Sequence, residues 1–216
     1  MKKIHIVGLA LAAVFVFSAF SVASAFALES GWLVNGAGAL SEVLVKTIGL
    51  LFLDVLVAGI LAVQLDCEGI LDGTVGSATS IAADLITEIL TSTGGPAPLS
   101  CKVESSLLKA CGSVGELASV TAVGLPWVTK IVLSGGAYLV EFPPNSGYKA
   151  VCPGGKENTC SGKAVFATLS NGTNDVNGVF TEAENEAPCT EGVGHIGGEG
   201  LTETISGESL AVSEGE

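Results

Sequence analysis

Six cysteines, one late histidine and one Asn/Asp-rich loop are the residues of this chain whose types and spacing can do chemistry. The cysteines are Cys67, Cys101, Cys111, Cys152, Cys160 and Cys189. Six thiols in an oxidising compartment read as a disulfide framework, and they allow 15 pairings that sequence alone does not choose between. Two local pairs bracket expected turns, Cys101–Cys111 and Cys152–Cys160, which leaves Cys67–Cys189 as a long-range tie. Zinc ligation needs C-x₂₋₄-C spacing, and the tightest interval here is the one from Cys152 to Cys160. The calcium-loop pattern D-x-[DN]-x-[DN]-G is partly matched from Thr173 to Gly178, with Asp175 and Asn177 as ligands and Glu184 at the twelfth position. Its first ligand is a threonine and its flanks read as strands, so Asn-Asp-x-Asn-Gly also fits hairpin chemistry.

His5 lies in the N-terminal apolar stretch, so His195 is the histidine available to a Ser–His or Cys–His catalyst. It sits in Gly194-His-Ile-Gly-Gly-Glu-Gly200, no G-x-S-x-G elbow accompanies it, and it reads as a surface or turn residue. Paired carboxylates of the glycosidase kind need only be close in space. Asp66, Glu68 and Asp72 gather around Cys67 as candidates, in what reads as a solvated turn. Asn171-Gly-Thr173 forms a glycosylation sequon.

The elements that position these residues begin after an export signal. Lys2 and Lys3 precede an apolar run from Ile4 to Phe20, and two A-x-A sites follow, ending at Ala25 and Ala27. This is the three-part pattern of a cleaved, helical signal peptide over residues 1–27. Residues 28–212 then read as one domain and 213–216 as an acidic end, with the protein secreted. Beyond Ala27 the chain carries seven lysines, no arginine and all 22 acids, a net charge of −15. That field excludes nucleic-acid binding, which needs a basic footprint, and disfavours anionic membrane surfaces. Nine acids and no lysine follow from Glu182 onward, which reads as a solvated, partly loose tail.

Val43 to Leu65 is almost wholly apolar, with Lys46 and Asp54 as exceptions. Residues 47–65 are long enough for a membrane span, but Asp54 near the bilayer centre costs roughly 2.5–3.5 kcal/mol on insertion scales. Two strands buried on both faces, Val43–Leu53 and Val55–Cys67 meeting near Asp54, are the preferred reading. Asp72-Gly73 signals a hairpin. Residues 81–90 lean to strand. Further strands are expected over 100–108, 114–123, 128–133, 137–142, 148–152, 159–169 and 176–181, with a glycine-rich loop at 192–200 and closing strands at 201–205 and 210–212. Many short strands at regular turn spacing predict an all-β fold, an antiparallel sandwich or barrel stapled by disulfides.

Cys67-Glu-Gly-x-x-Asp-Gly-Thr-Val-Gly76, Leu125-Pro-Trp-x-Thr-Lys130 and Gly147-Tyr-Lys-x-x-Cys152 carry a resemblance. From Trp32 onward the chain resembles uncharacterised secreted, cysteine-containing, β-rich proteins of soil actinobacteria. The resemblance implies export and a β fold, and no activity. Leu50–Val63 is more apolar than that pattern. The functional expectation is an extracellular β-domain with a structural or binding role toward an extracellular ligand or surface component. It carries no cofactor, and it meets the membrane only through the signal peptide unless 47–65 spans. The alternatives are a carboxylate-dependent hydrolase acting on glycans and a calcium-stabilised surface module.

Overall fold

The computed structural model describes residues 31–38, 42–76, 84–182 and 185–213. The expected signal peptide and Glu184 lie outside the described residues. The strands are β1 (Gly31–Val34), β2 (Ala37–Gly38), β3 (Val43–Val57), β4 (Ile60–Val75), β5 (Asp84–Thr91), β6 (Leu99–Ser106), β7 (Leu117–Val123), β8 (Trp127–Ser134), β9 (Ala137–Phe142), β10 (Gly147–Val151), β11 (Glu157–Ser161), β12 (Val165–Asn171), β13 (Val176–Phe180), β14 (Glu186–Pro188), β15 (Val193–Thr204) and β16 (Leu210–Ser213). Leu107–Lys109 forms a short 3₁₀ turn. The fold is all-β and antiparallel, as the strand spacing predicts, and no described helix is long and apolar enough to cross a membrane.

Three long strands organise everything else. β3, β4 and β15 run 15, 16 and 12 residues and lie side by side, β15–β3–β4. Along one half, Gly69–Thr74 of β4 pairs with β5, and the path β4–β3–β15–β13–β12–β9–β8–β5 returns to β4. This closes a ring of strands without an open edge. Along the other half, Val63–Cys67 of β4 pairs with β6, which continues through β7 and β10 to β11. A bridge between Cys160 on β11 and Cys189 beside β14 brings that path back to β15. The molecule is thus two stacked rings that share three strands.

Inward residues fill both rings. Leu53, Leu65, Val103, Val120, Trp127 and Phe142 belong to one core that runs across the junction. Trp127 meets Phe142 edge-on at 6.0 Å, and Phe142 meets Phe180 at 5.4 Å. A second core closes the far end of the first ring, where the small sheet β16–β1–β2 lays Trp32, Leu210 and Val212 over Val45, Val75, Leu169 and Val176.

The apolar run at Val43–Leu65 is a hairpin, but its turn is at Ala58-Gly59, with φ of 52° and 76°, and not near Asp54. Two consecutive left-handed residues make the tight connection that suits the twist of the strands. Nor is the run apolar because both faces are buried. Its inward side chains are core, while Leu44, Ile48 and Leu50 face outward, exposed by 59, 44 and 40%. The expected hairpin at Asp72-Gly73 lies inside β4, where the pairing with β5 slips by a bulge. Residues 159–169 split into β11 and β12 around Gly162-Lys163-Ala164.

The expected glycine-rich loop at 192–200 is instead most of β15, the most crowded strand of the fold. A Cβ on Gly194 would lie 2.7–2.9 Å from Cys189 Sγ, Tyr148 OH and Cys160 Sγ. On Gly198, where φ is 129°, it would lie 2.1 Å from the Leu50 carbonyl. Glycine here serves close approach and not flexibility. The acidic stretch after Glu182 is likewise ordered into β14, β15 and β16 and is not a loose tail up to Ser213.

All six cysteines are paired, as Cys67–Cys101, Cys111–Cys152 and Cys160–Cys189, and no described cysteine is free. The local pairs expected from the sequence are out of reach. Cys101 sits in mid-β6 directly opposite Cys67, with five strand residues and the 3₁₀ turn between it and Cys111. Cys160 stands opposite Tyr148, four residues back along β10 from Cys152. At about 3.3 Å per strand residue, both separations exceed the roughly 7 Å limit for a bridged Cα pair.

Gly194→Ala is expected to cost about 2 kcal/mol or more through overpacking against the Cys160–Cys189 bridge. Gly154→Ala, with nothing within 4 Å of the added carbon, is expected to leave the urea midpoint within error of wild type. Equal midpoints for the two variants would contradict the packing described for β15.

Candidate functional site

The titratable groups that the fold brings together lie on the outer face of the shared strands. Leu53 and Val55 point into the core, so Asp54 points outward. Cross-strand register then sets a row over five strands, Glu186–His195–Asp54–Gln64–Ser105. Residues directly opposite share a face and lie within side-chain reach.

Glu182 and Asn185, between β13 and β14, lie against this row and its strand. Asn185 is fully buried. Its Nδ2 donates to the carbonyls of Phe166 and Thr181, its Oδ1 accepts from the Phe166 amide, and its carbonyl accepts from the Ile196 amide. Glu182 is thereby held above Gly197, where an added Cβ would lie 2.4 Å from its Cγ. His195 Nδ1 is 3.1 Å from the Glu182 carbonyl, so Nδ1 carries the proton and donates. Its Nε2 faces Glu186 Oε1 at 3.9 Å.

Asp54 is 8% exposed and its Oδ1 is buried without a hydrogen-bond partner. Burial raises its carboxyl to about 6; the charge of Glu182 pushes the same way, His195 opposes, and Asp66 adds a little. Asp66 is also raised, by burial first and then by Glu104, against Lys102. The Tyr148 hydroxyl is buried and unpartnered on the inner side of this wall; burial, and then Asp54, push it up. A histidine beside a carboxyl that titrates near neutrality can move protons. All six cysteines are bridged, and four cavities lined by described residues do not include Asp54 or His195 in their walls.

Those cavities lie mainly inside the rings and are small, about 60, 70, 60 and 30 Å³. A small-molecule pocket has on the order of 300–1,000 Å³. One cavity reaches Asp84, whose Oδ2 accepts from Trp32 Nε1 at 2.7 Å and whose Oδ1 accepts from the Gly76 amide at 3.1 Å. Burial still raises Asp84 to about 6 against those two hydrogen bonds. Asp84 pins β1 over the end of the first ring.

The residues singled out from sequence do not converge. Asp66, Glu68 and Asp72 are not in a turn; they are spaced along β4 on its outer face, opposite Phe52, Leu50 and Lys46 in turn. Asp175 is in the β12–β13 turn folded over Gly172, while Asn177 is in β13 opposite Ser170 and Leu201. Among the described residues no group of three His, Cys, Asp or Glu side chains is placed to hold a metal. Asn171 of the sequon has both amide atoms engaged with the Val212 main chain, at 2.9 and 2.7 Å. Reading Asp54 as an interruption and His195 as a turn residue concealed their pairing, because the register of β3 against β15 is a tertiary property.

No family model matches the chain, and neither curated proteins nor solved structures give a match.

Asp54 and Asp84 both titrate near 6 in the fold, above the ordinary 3.8. Their contribution to stability is therefore full below about pH 4 and lost as pH rises through 6. Asp54→Asn, which keeps the shape and removes the charge, is expected to stabilise the protein by about 1–2 kcal/mol at pH 8 and by nothing at pH 4. Urea unfolding at the two pH values checks it; an equal effect at both would show that charge burial is not the cause.

Proposed function

We propose that this protein is an exported, non-enzymatic binding domain that works through the outer surface of a rigid double ring. The observation that carries this reading is the placement of the titratable row: it stands on the outer wall, beside Glu182, while the interior is packed with apolar side chains. Three bridges support export, since such a framework forms and persists in oxidising compartments. The tripartite N-terminus supports it as well.

Rigidity suits a binding role. The 3₁₀ turn and the end of β10 are tied by Cys111–Cys152, and the second ring is closed by Cys160–Cys189. Each bridge contributes on the order of 2–4 kcal/mol. Loops held in this way present fixed surfaces and lose little entropy on contact.

The rival reading is hydrolysis by outer-face carboxylates. Exported, disulfide-intact protein incubated with soluble and insoluble β-glucan, chitin and xylan is expected to release no reducing ends above buffer, and Asp54→Asn, Glu182→Gln and Glu186→Gln are expected to behave the same. Turnover by wild type that disappears in any one of these variants, with the unfolding midpoint unchanged, would overturn the proposal and establish a hydrolase.

A further inference from the structure

The exposed apolar side chains of this molecule are unevenly placed. At the end where the β3–β4 hairpin turns, Val57 and Ile60 flank Ala58-Gly59, exposed by 47 and 60%. Register extends the patch in both directions. Val193 stands opposite Leu56 on one side. On the other, Val63 pairs with Ser106, the residue before Leu107-Leu108, which places the 3₁₀ turn beside Leu61. Leu108 is 94% exposed, the most exposed of the large apolar side chains. The nine residues from Val55 to Val63 carry no charge, in a chain whose exported part is otherwise strongly acidic.

Two further observations indicate what covers this pole. Leu108 and Lys109 both adopt left-handed backbone, with φ of 51° and 59°. A leucine there is unfavourable and is held only by its surroundings. The Cys111–Cys152 bridge two residues on, and the Cys111 amide bonded to Ser106 Oγ, supply that hold. Second, the other described lysines pair with carboxylates, whereas Lys109 has no ion pair with a described acid. The described lysine without a described acid partner therefore adjoins the most exposed described leucine. The patch is also a protrusion and not a groove: its side chains stand out from turns.

We propose that this pole docks on a zwitterionic phospholipid surface, with the hairpin tip and Leu108 entering the acyl boundary and Lys109 meeting lipid phosphate. Protruding apolar side chains need no complementary pocket in a bilayer, and a nearby lysine keeps its charge at the headgroup level. The net charge of the exported chain favours a zwitterionic over an anionic leaflet. The inference rests on the binding-domain reading above and names the surface that such a domain would use.

Flotation of the exported, disulfide-intact protein with phosphatidylcholine vesicles tests it. Wild type is expected to float with the lipid, and more weakly when phosphatidylserine is added at low salt. Ile60→Glu/Leu108→Glu is expected to lose at least tenfold in partition with an unchanged unfolding midpoint, while Leu44→Glu, on the outer face away from the tip, is expected to retain it. Should the double variant misfold, Leu108→Trp supplies the readout: its emission is expected to shift to the blue and to be quenched by brominated lipid. No partition by wild type, or equal loss in Leu44→Glu, overturns the proposal. So does a concentration-dependent dimer that the double variant dissolves, which would assign the pole to a second copy. Glycan turnover by the same preparation would overturn the binding-domain reading, whereas absent flotation without turnover would overturn the membrane surface alone.

Discussion

β3, β4 and β15 must each serve two rings at once, and that constraint governs the rest of the structure. A strand of about 15 residues is far longer than the usual five or six, and no single ring of this size uses its whole edge. β4 therefore gives one stretch of its edge to β6 and the next to β5, with a register slip on each side of the branch. β15 does the same with β14 and β13. Between those two short strands, buried Asn185 is fixed by bonds to the main chain of Phe166, Thr181 and Ile196. Glu182 then lies over the outward row at Asp54 and His195, which the register of β3 against β15 sets.

Branching explains the disulfides as well. The first ring closes by ordinary ladder pairing, but the second closes beside an isolated bridge between Cys160 and Cys189, where the Thr190 amide donates to the Thr159 carbonyl and the Asn158 side chain bonds the Glu191 main chain. The Cys160–Cys189 bond reinforces that short closure covalently. Cys67–Cys101 holds β6 to β4 next to the branch, and Cys111–Cys152 ties the turn after β6 to the end of β10. All three bonds therefore serve the second ring, while the first relies on Trp127, Phe142 and Phe180 within and on the Trp32 lid at its end.

Much of this was legible in the sequence, and the parts that were not share a cause. Strand class and most boundaries follow from turn residues and short apolar runs; Ala137–Phe142 falls where Gly135-Gly136 and Pro143-Pro144 place it. Many of the errors fall on the shared strands. The β3–β4 hairpin shows no alternation because its outer face carries Leu44, Ile48 and Leu50. β15 reads as a loop because its neighbours approach too closely for side chains, so that glycine marks crowding where it usually marks a bend. Disulfide pairing is set by register between strands far apart in the chain, and spacing along the chain misleads. The candidate site suffered likewise: Asp54 and His195 are 141 residues apart and meet only through that register.

The double ring is the central claim, and the disulfide map tests it most directly. Proteolysis of the unreduced, alkylated protein followed by mass analysis of the linked peptides reads all three bridges. The architecture predicts Cys67–Cys101, Cys111–Cys152 and Cys160–Cys189, with no thiol alkylated before reduction. A Cys101–Cys111 or Cys152–Cys160 linkage in the exported protein would contradict it, because neither can form while β6 pairs with β4 and β11 pairs with β10 in the registers described.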